Sequence, residues 1–246
     1  MKNASEFSEW SGARIQHLAQ TKDFEEISLQ WMNKAIENDY PYLFQWLGVP
    51  VIQFPSDLLL MQEAIFRSQA NKVIEIGIAR GGTTIFLASL LKLMHGDKEF
   101  SVIGVDIKLS SHTVQAVRSS VVQDRIILVE GDSVNNETLL SVKQHIGPGD
   151  KVLVILDSNH THQHVYREMV MYGDLVTSNS FLIVMDTAIE YINQANLGNR
   201  EWGKGNSPLT AVAKFQANKE QQFVLDENLD KRGIPGASKG GFLRKK

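Results

Sequence analysis

The strongest constraint on this chain is a series of five short apolar runs, at 73–76, 102–105, 126–129, 152–156 and 181–185. Each ends directly before a glycine or an acidic residue: Gly77, Asp106, Glu130, Asp157 and Asp186. Runs this apolar suit strands covered on both faces, as in a parallel sheet. Amphipathic stretches at 83–93 and 113–122 separate the early runs and predict helices. Strands alternating with helices build right-handed crossover units, hence a doubly wound α/β sheet. In such sheets ligands bind beyond the carboxyl ends of the strands.

The 246 residues suffice for one α/β domain with a substantial core and a small helical appendage. A formal net charge of −3 gives no general attraction to nucleic acid or an anionic membrane. The absence of cysteine excludes disulfides and thiolate metal sites. No apolar run reaches membrane-spanning length, and the first residues lack a signal-peptide core, so a cytoplasmic protein is expected. Residues 1–55 read as an N-terminal helical extension. Phe24, Ile27, Trp31 and Ala35 predict a helix near 21–38, followed by an aromatic segment at 40–46. Ser56 is the expected N-cap of the helix that opens the main domain, 56–246.

After the first run comes E-x-G-x-x-x-G-x-T, over 75–83. Its glycines let the backbone turn tightly and approach a ligand, although a merely tight strand–helix turn would use them too. The G-x-G-x-x-G spacing of dinucleotide folds is absent. Asp106 stands where a carboxylate can accept both hydroxyls of a ribose, a device dehydrogenases also use, so it marks a nucleoside site and not its chemistry. Asp132 and Ser133 follow the third run and could meet a base or cap the next helix. The fourth run ends in Asp157-Ser158-Asn159-His160-Thr161-His162-Gln163-His164, and the fifth in Asp186-Thr187. Adjacent strand ends would bring Asp157 and Asp186 together, where a divalent cation removes their repulsion. The H-x-H-x-H string could instead hold zinc or iron, but no histidine follows His164 to complete such a site. His164 is the histidine expected to be idle.

These strings resemble the cephalosporin hydroxylase and rhamnosyl O-methyltransferase group of class I S-adenosylmethionine-dependent methyltransferases. The similarity runs through Trp46-Leu47-Gly48-Val49-Pro50, Gln53-Phe54-Pro55-Ser56-Asp57, the glycine loop and Gly104-Val105-Asp106. It continues in Asp157 to His162, Asp186-Thr187 and Trp202-Gly203-Lys204-Gly205-Asn206-Ser207-Pro208, covering roughly 40–246. The resemblance implies a mostly parallel seven-stranded sheet. It implies S-adenosylmethionine on Glu75, Gly77, Ala79, Arg80, Gly81, Gly82 and Thr83. Asp106 and Ile107, Asp132 and Ser133, and Asp157 would complete that site. It also implies Mg²⁺ or another divalent cation on Asp157 and Asp186, with His160 as base and Asp157 and His162 beside it. Related enzymes often carry Glu-Asp where this chain has Met185-Asp186; Met185 is no ligand for a hard cation. Thr187, water or substrate would then complete the shell. The glycine-rich loop 201–208 is expected to meet the acceptor through Trp202, Lys204 and Asn206.

The function expected from these residues is O-methylation of a sugar or other polyhydroxylated natural product by a homo-oligomer. Three alternatives stand beside it. One is a non-catalytic S-adenosylmethionine-binding partner, another a component of a hydroxylase or tailoring system. The third is an NAD-dependent enzyme, which the glycine spacing disfavours.

Overall fold

The computed structural model describes residues 2–219, 222–233 and 236–246. Helix α1 (Ala4–Ala19), absent from the sequence reading, starts with a capping box between Asn3 and Glu6. Helix α2 (Lys22–Glu37) matches the predicted helix, but its packing face differs. Met32 and Ala35 are buried while Ile27 is exposed. Met32 packs with Ala188, Ile189, Ile192 and Leu197, which rotates α2 away from the expected Ile27–Trp31 face. Trp31 rests on the rings of Tyr40 and Phe54 at 5.4 and 5.7 Å.

A hairpin of β1 (Gln45–Trp46) and β2 (Val49–Pro50) follows, turning through Leu47 and Gly48, both at positive φ. Helix α3 (Pro55–Ser68) begins two residues earlier than predicted. Phe54 is its N-cap and Pro55 its first residue, so Ser56 lies inside the helix. Proline suits that first position because its ring presets φ and its missing N–H leaves no donor unpaired.

The alternating units then run β3 (Lys72–Ile76), α4 (Gly82–His95), β4 (Ser101–Asp106) and α5 (Ser111–Arg118). They continue through β5 (Ile126–Glu130), α6 (Asn136–Lys143), β6 (Val152–Leu156), α7 (His162–Gly173) and β7 (Phe181–Val184). Ser110 caps α5 by accepting from Thr113 N, which places that helix ahead of the predicted 113–122. Short α8 (Gln194–Leu197), α9 (Pro208–Lys219), β8 (Phe223–Leu225), α10 (Glu227–Asp230) and β9 (Phe242–Lys245) complete the chain. Among the described residues the main sheet has seven strands in the order β5-β4-β3-β6-β7-β9-β8. The pairs among β3–β7 are parallel, and β9 runs antiparallel between β7 and β8.

Side chains alternate between two cores, one on each face of the sheet. Val73, Leu153 and Ile183 pack on one side with α3 and α4 residues such as Ile65, Leu87 and Leu91. Ile74, Val154 and Leu182 pack on the other with Met169, Tyr172 and Phe215. Because Leu153 is wholly buried, Leu153→Ala should destabilise the fold by about 2–5 kcal/mol, read from the urea midpoint at unchanged slope.

Candidate active site

The ends of β3, β4, β5 and β6 surround a cavity of about 340 Å³ lined by Gly77, Ala79, Asp106, Ile107, Asp132 and Ser133. Asp157, Ser158, Asn159, His164 and Trp202 form its remaining polar and aromatic wall. Gly77, Ala79 and Gly81 all have positive φ, so the loop after β3 winds tightly. A Cβ on Gly77 would lie 2.2 Å from the Asp157 carbonyl oxygen, so only glycine lets β3 and β6 splay around the cavity. Asp106 Oδ2 accepts from Ile78 N and Ala79 N at 3.1 Å each, fixing the loop to the end of β4.

The other loop residues serve the frame. Glu75 is buried beneath the loop and accepts from Thr84 Oγ1 at 2.5 Å. Burial pushes its carboxyl up to about 8 against the pull of that hydrogen bond. Gly82 presses on the hairpin, where a Cβ would meet the Pro50 carbonyl oxygen at 2.1 Å. Gly81 faces Val117 and Thr113, Arg80 lines a separate surface groove beside the hairpin, and Thr83 is buried in α4. Asn135 caps α6, so Asp132 and Ser133 are left to the cavity wall.

At the cavity's edge Asp157, His160 and Asp186 each bring one potential ligand atom within 4.8 Å of the others. His160 Nε2 is 3.1 Å from Asp186 Oδ2, and Gln53 Nε2 donates to Asp157 Oδ2 at 2.6 Å. Burial, then the nearby charges of Asp186 and Glu75, hold the Asp157 carboxyl well above the usual carboxylate range. A donor set of two carboxylates and one imidazole suits a divalent cation, which would relieve that repulsion. Thr187 is not part of it: its buried hydroxyl donates to the Ala237 and Lys239 carbonyls. Met185 is buried in the core facing α3 and α4, where an acidic side chain would lack a partner. His160 brings an imidazole nitrogen beside the two carboxylates, whereas the side chain at position 185 lies in the core.

The other two histidines bind elsewhere. His162 Nδ1 pairs with Thr210 Oγ1 at 2.8 Å and its backbone N–H donates to Asn206 Oδ1, joining α7 to α9. His164 does have a partner, contrary to the idle role expected of it. Its Nε2 lies 3.1 Å from both Glu168 Oε1 and Ser133 Oγ. Ser133 and Ser158 each donate to the same Glu168 oxygen at 2.5 Å, so a buried carboxylate ties the β5 and β6 loops together. The apolar-run reading missed Glu168, whose signal is its i,i+4 spacing from His164. Trp202 stands edge-on to His160 at 5.0 Å, with its indole N–H buried and unpartnered. Lys204 is exposed on the loop, while Asn206 spends its amide on His162 N and the Glu201 carbonyl.

The comparisons with known proteins agree with this geometry. The family model for "Rhamnosyl O-methyltransferase/CmcI" matches residues 38–246. The chain belongs to that family, which makes it an O-methyltransferase. It is 31% identical over 208 residues to the rhamnosyl O-methyltransferase of Mycobacterium leprae (strain TN), covering 81% of this chain and 82% of the relative. The rhamnosyl O-methyltransferase of Mycobacterium tuberculosis (strain ATCC 25618 / H37Rv) is 29% identical over 204 residues, covering 81% and 77%. An apo structure of CmcI matches with a TM-score of 0.60 at 18% identity, over 83% of this chain and 76% of that one. A structure of CmcI with Mg and SAM matches at 0.57 and 17%, over 83% and 77%. These structural likenesses establish the fold of a class I methyltransferase.

Two outcomes follow for the site. Glu168 and burial act oppositely on His164, and the carboxylate wins, raising its pKa from 6.5. The folded state therefore holds that proton to higher pH than the unfolded chain. The pair's stabilisation is complete below the ordinary histidine range and is lost as pH rises through the folded value. Thermal midpoints of the protein should carry this loss, and those of His164→Gln should not. For Asp157 the raised pKa means that its ionisation destabilises the fold as pH rises above the ordinary carboxylate range. Mg²⁺ needs the ionised form, so its stabilising effect should grow with pH, reaching about 2.7 kcal/mol at a hundredfold excess over Kd. Asp186→Asn should abolish that increment in a thermal melt.

Proposed function

We propose that the chain transfers the methyl group of S-adenosylmethionine to a hydroxyl of a sugar or similar polyhydroxylated natural product. A divalent cation such as Mg²⁺ assists. The observation that carries this reading is the convergence of Asp157, His160 and Asp186 at the rim of the strand-end cavity. The names of the relatives support O-methylation of a sugar, and the Mg and SAM of the CmcI structure support the cofactors.

Methyl transfer from a sulfonium is an in-line displacement, so the acceptor oxygen must reach about 3 Å from the methyl carbon on the axis of the breaking bond. The new C–O bond forms as the C–S bond breaks, its electron pair goes to sulfur, and the hydroxyl proton must leave. Gly77 gives the donor close access to the backbone, Asp106 takes the ribose, and Asp132 and Ser133 face the base. Asp157 and Asp186 would hold the cation, which would lower the pKa of the acceptor hydroxyl. The His160 imidazole takes the proton, and Asp186, 3.1 Å from its Nε2, stabilises the imidazolium. Trp202 covers His160 and limits water. The acceptor is a small molecule, and no described helix is long and apolar enough to cross a membrane. The same proposal includes a cytoplasmic location and a homo-oligomer, the latter supported by exposed Phe7 and Trp10 on α1.

His160→Ala should lower kcat by about 10²- to 10⁴-fold while calorimetry finds unchanged affinities for S-adenosylmethionine and Mg²⁺. A loss of Mg²⁺ affinity would instead make His160 a ligand. Incubating the protein with S-adenosylmethionine, Mg²⁺ and a panel of glycosides should give products heavier by one CH₂ by mass spectrometry. Binding of NAD in place of S-adenosylmethionine would overturn the proposal.

A further inference from the structure

Three groups that line the first cavity, Ser133, Ser158 and His164, meet behind its wall on one atom, Glu168 Oε1. Glu168 itself is wholly buried and stands outside the cavity lining. Each serine hydroxyl has a single hydrogen and gives it to that oxygen at 2.5 Å. His164 Nε2 approaches the same oxygen and Ser133 Oγ, at 3.1 Å each. With the Ser133 hydrogen already spent, Nε2 must carry the hydrogen that joins it to either group. The other carboxylate oxygen, Oε2, is buried with no hydrogen-bond partner among the described residues. A carboxylate that only filled a polar hole would share its donors between both oxygens. This one gathers three donors on a single side.

The positions of the two serines are fixed as firmly as their hydrogens. Tyr172 Oη donates to the Ser133 carbonyl at 2.9 Å, and Arg167 Nη2 to the Val134 carbonyl at 3.2 Å, so α7 clamps the loop after β5. On the other side of that loop, a Cβ on Gly131 would lie 2.4 Å from Thr138 Oγ1. Asp132 turns one carboxylate oxygen back to Val134 N at 3.1 Å. Ser158 is set against the loop after β3, where a Cβ on Gly77 would lie 2.7 Å from its Cα. Toward the cavity both hydroxyls can therefore only accept a hydrogen bond. Such a wall needs a donor from its ligand, and on the edge of adenine the donor is the exocyclic amino group.

We infer that Glu168 is a positioning residue for cofactor selection: by taking both serine hydrogens it turns their lone pairs to the cavity and so favours a 6-amino purine over a 6-oxo purine. The inference rests on S-adenosylmethionine as the occupant of this cavity, with its base at Ser133, and goes beyond that reading. A 6-oxo group there sets oxygen against oxygen with no hydrogen between them. Glutamine at position 168 changes the polarity of the network, because its amide can donate. A serine that accepts from that amide has its own hydrogen free for the cavity.

The test compares S-adenosylhomocysteine with its 6-oxo counterpart, S-inosylhomocysteine, by calorimetry on the full chain. The parent should bind the amino form about tenfold or more tightly. Glu168→Gln should cut that ratio by about threefold or more, and Mg²⁺ should still raise its melting midpoint, which separates polarity from misfolding. A merely structural role would weaken both forms alike and leave the ratio where it was. Equal binding of the two forms by the parent, or a ratio that Glu168→Gln leaves intact, overturns this inference alone. If Glu168→Gln gives no cooperative melt, Ser133→Ala decides: it removes an acceptor and should cut the ratio, and an unchanged ratio overturns the inference. Failure of the parent to bind S-adenosylhomocysteine at all overturns the assignment of the cavity and this inference with it.

Discussion

Two carboxylates at neighbouring strand ends repel each other, and much of the surrounding structure serves to hold them together. Asp157 leaves β6 and Asp186 follows β7, strands paired in parallel register, so the sheet itself imposes their proximity. Glu75 and Asp57 add further negative charge from behind. Each of the four has its own tether. Thr84 donates to Glu75, Ala237 N and Ser238 Oγ to Asp57, and Gln53 to Asp157, while His160 lies against Asp186. Burial raises Asp57 to about 6 and Glu75 to about 8, so protonation answers part of the repulsion there. At the cluster rim, where Asp157 and Asp186 meet, a divalent cation would answer it instead.

The tethers also explain why distant parts of the chain must be present for the site to exist. Gln53 comes from the segment between the hairpin and α3, and Ser238 from the loop before β9. The hairpin is seated in turn by Gly82, against whose Cα the Pro50 carbonyl packs. A loop glycine that looks like a cofactor contact therefore also sets the entry of Gln53. Structure and chemistry share the same motif, and the two demands cannot be separated by sequence alone.

The five parallel strands were legible because burial on both faces makes each a continuous apolar run. The residues at their ends were legible because a strand end is where polar groups become accessible. Strands β8 and β9 were not, being short and only partly buried, and α1 exposes Phe7 and Trp10, which blurs its period. Among site residues, Asp157, His160 and Asp186 stood out in the sequence. The Gln53 contact spans 104 positions and Ser133–Glu168 spans 35, and no local pattern encodes such pairs. For the same reason the His164–Ser133 contact went unseen and Asn206 looked like a substrate contact, although the Glu168 partner of His164 lies only one turn on. Their partners are brought by the packing of α7 against the β5 loop and against the turn before α9.

Position 185 shows how the backbone decides which chemistry a residue can perform. Met185 continues the β7 alternation and points into the core, so an acidic residue there would be desolvated without a partner. Asp186 then adopts φ 57°, a left-handed conformation costing a non-glycine residue about 1–2 kcal/mol. The chain keeps that cost because Thr187 locks onto the carbonyls of Ala237 and Lys239, which over-determines the turn. The turn carries Asp186 out of the sheet toward His160, whose Nε2 lies 3.1 Å from its Oδ2. Strain at Asp186 is therefore what reconciles an apolar strand with a charged site.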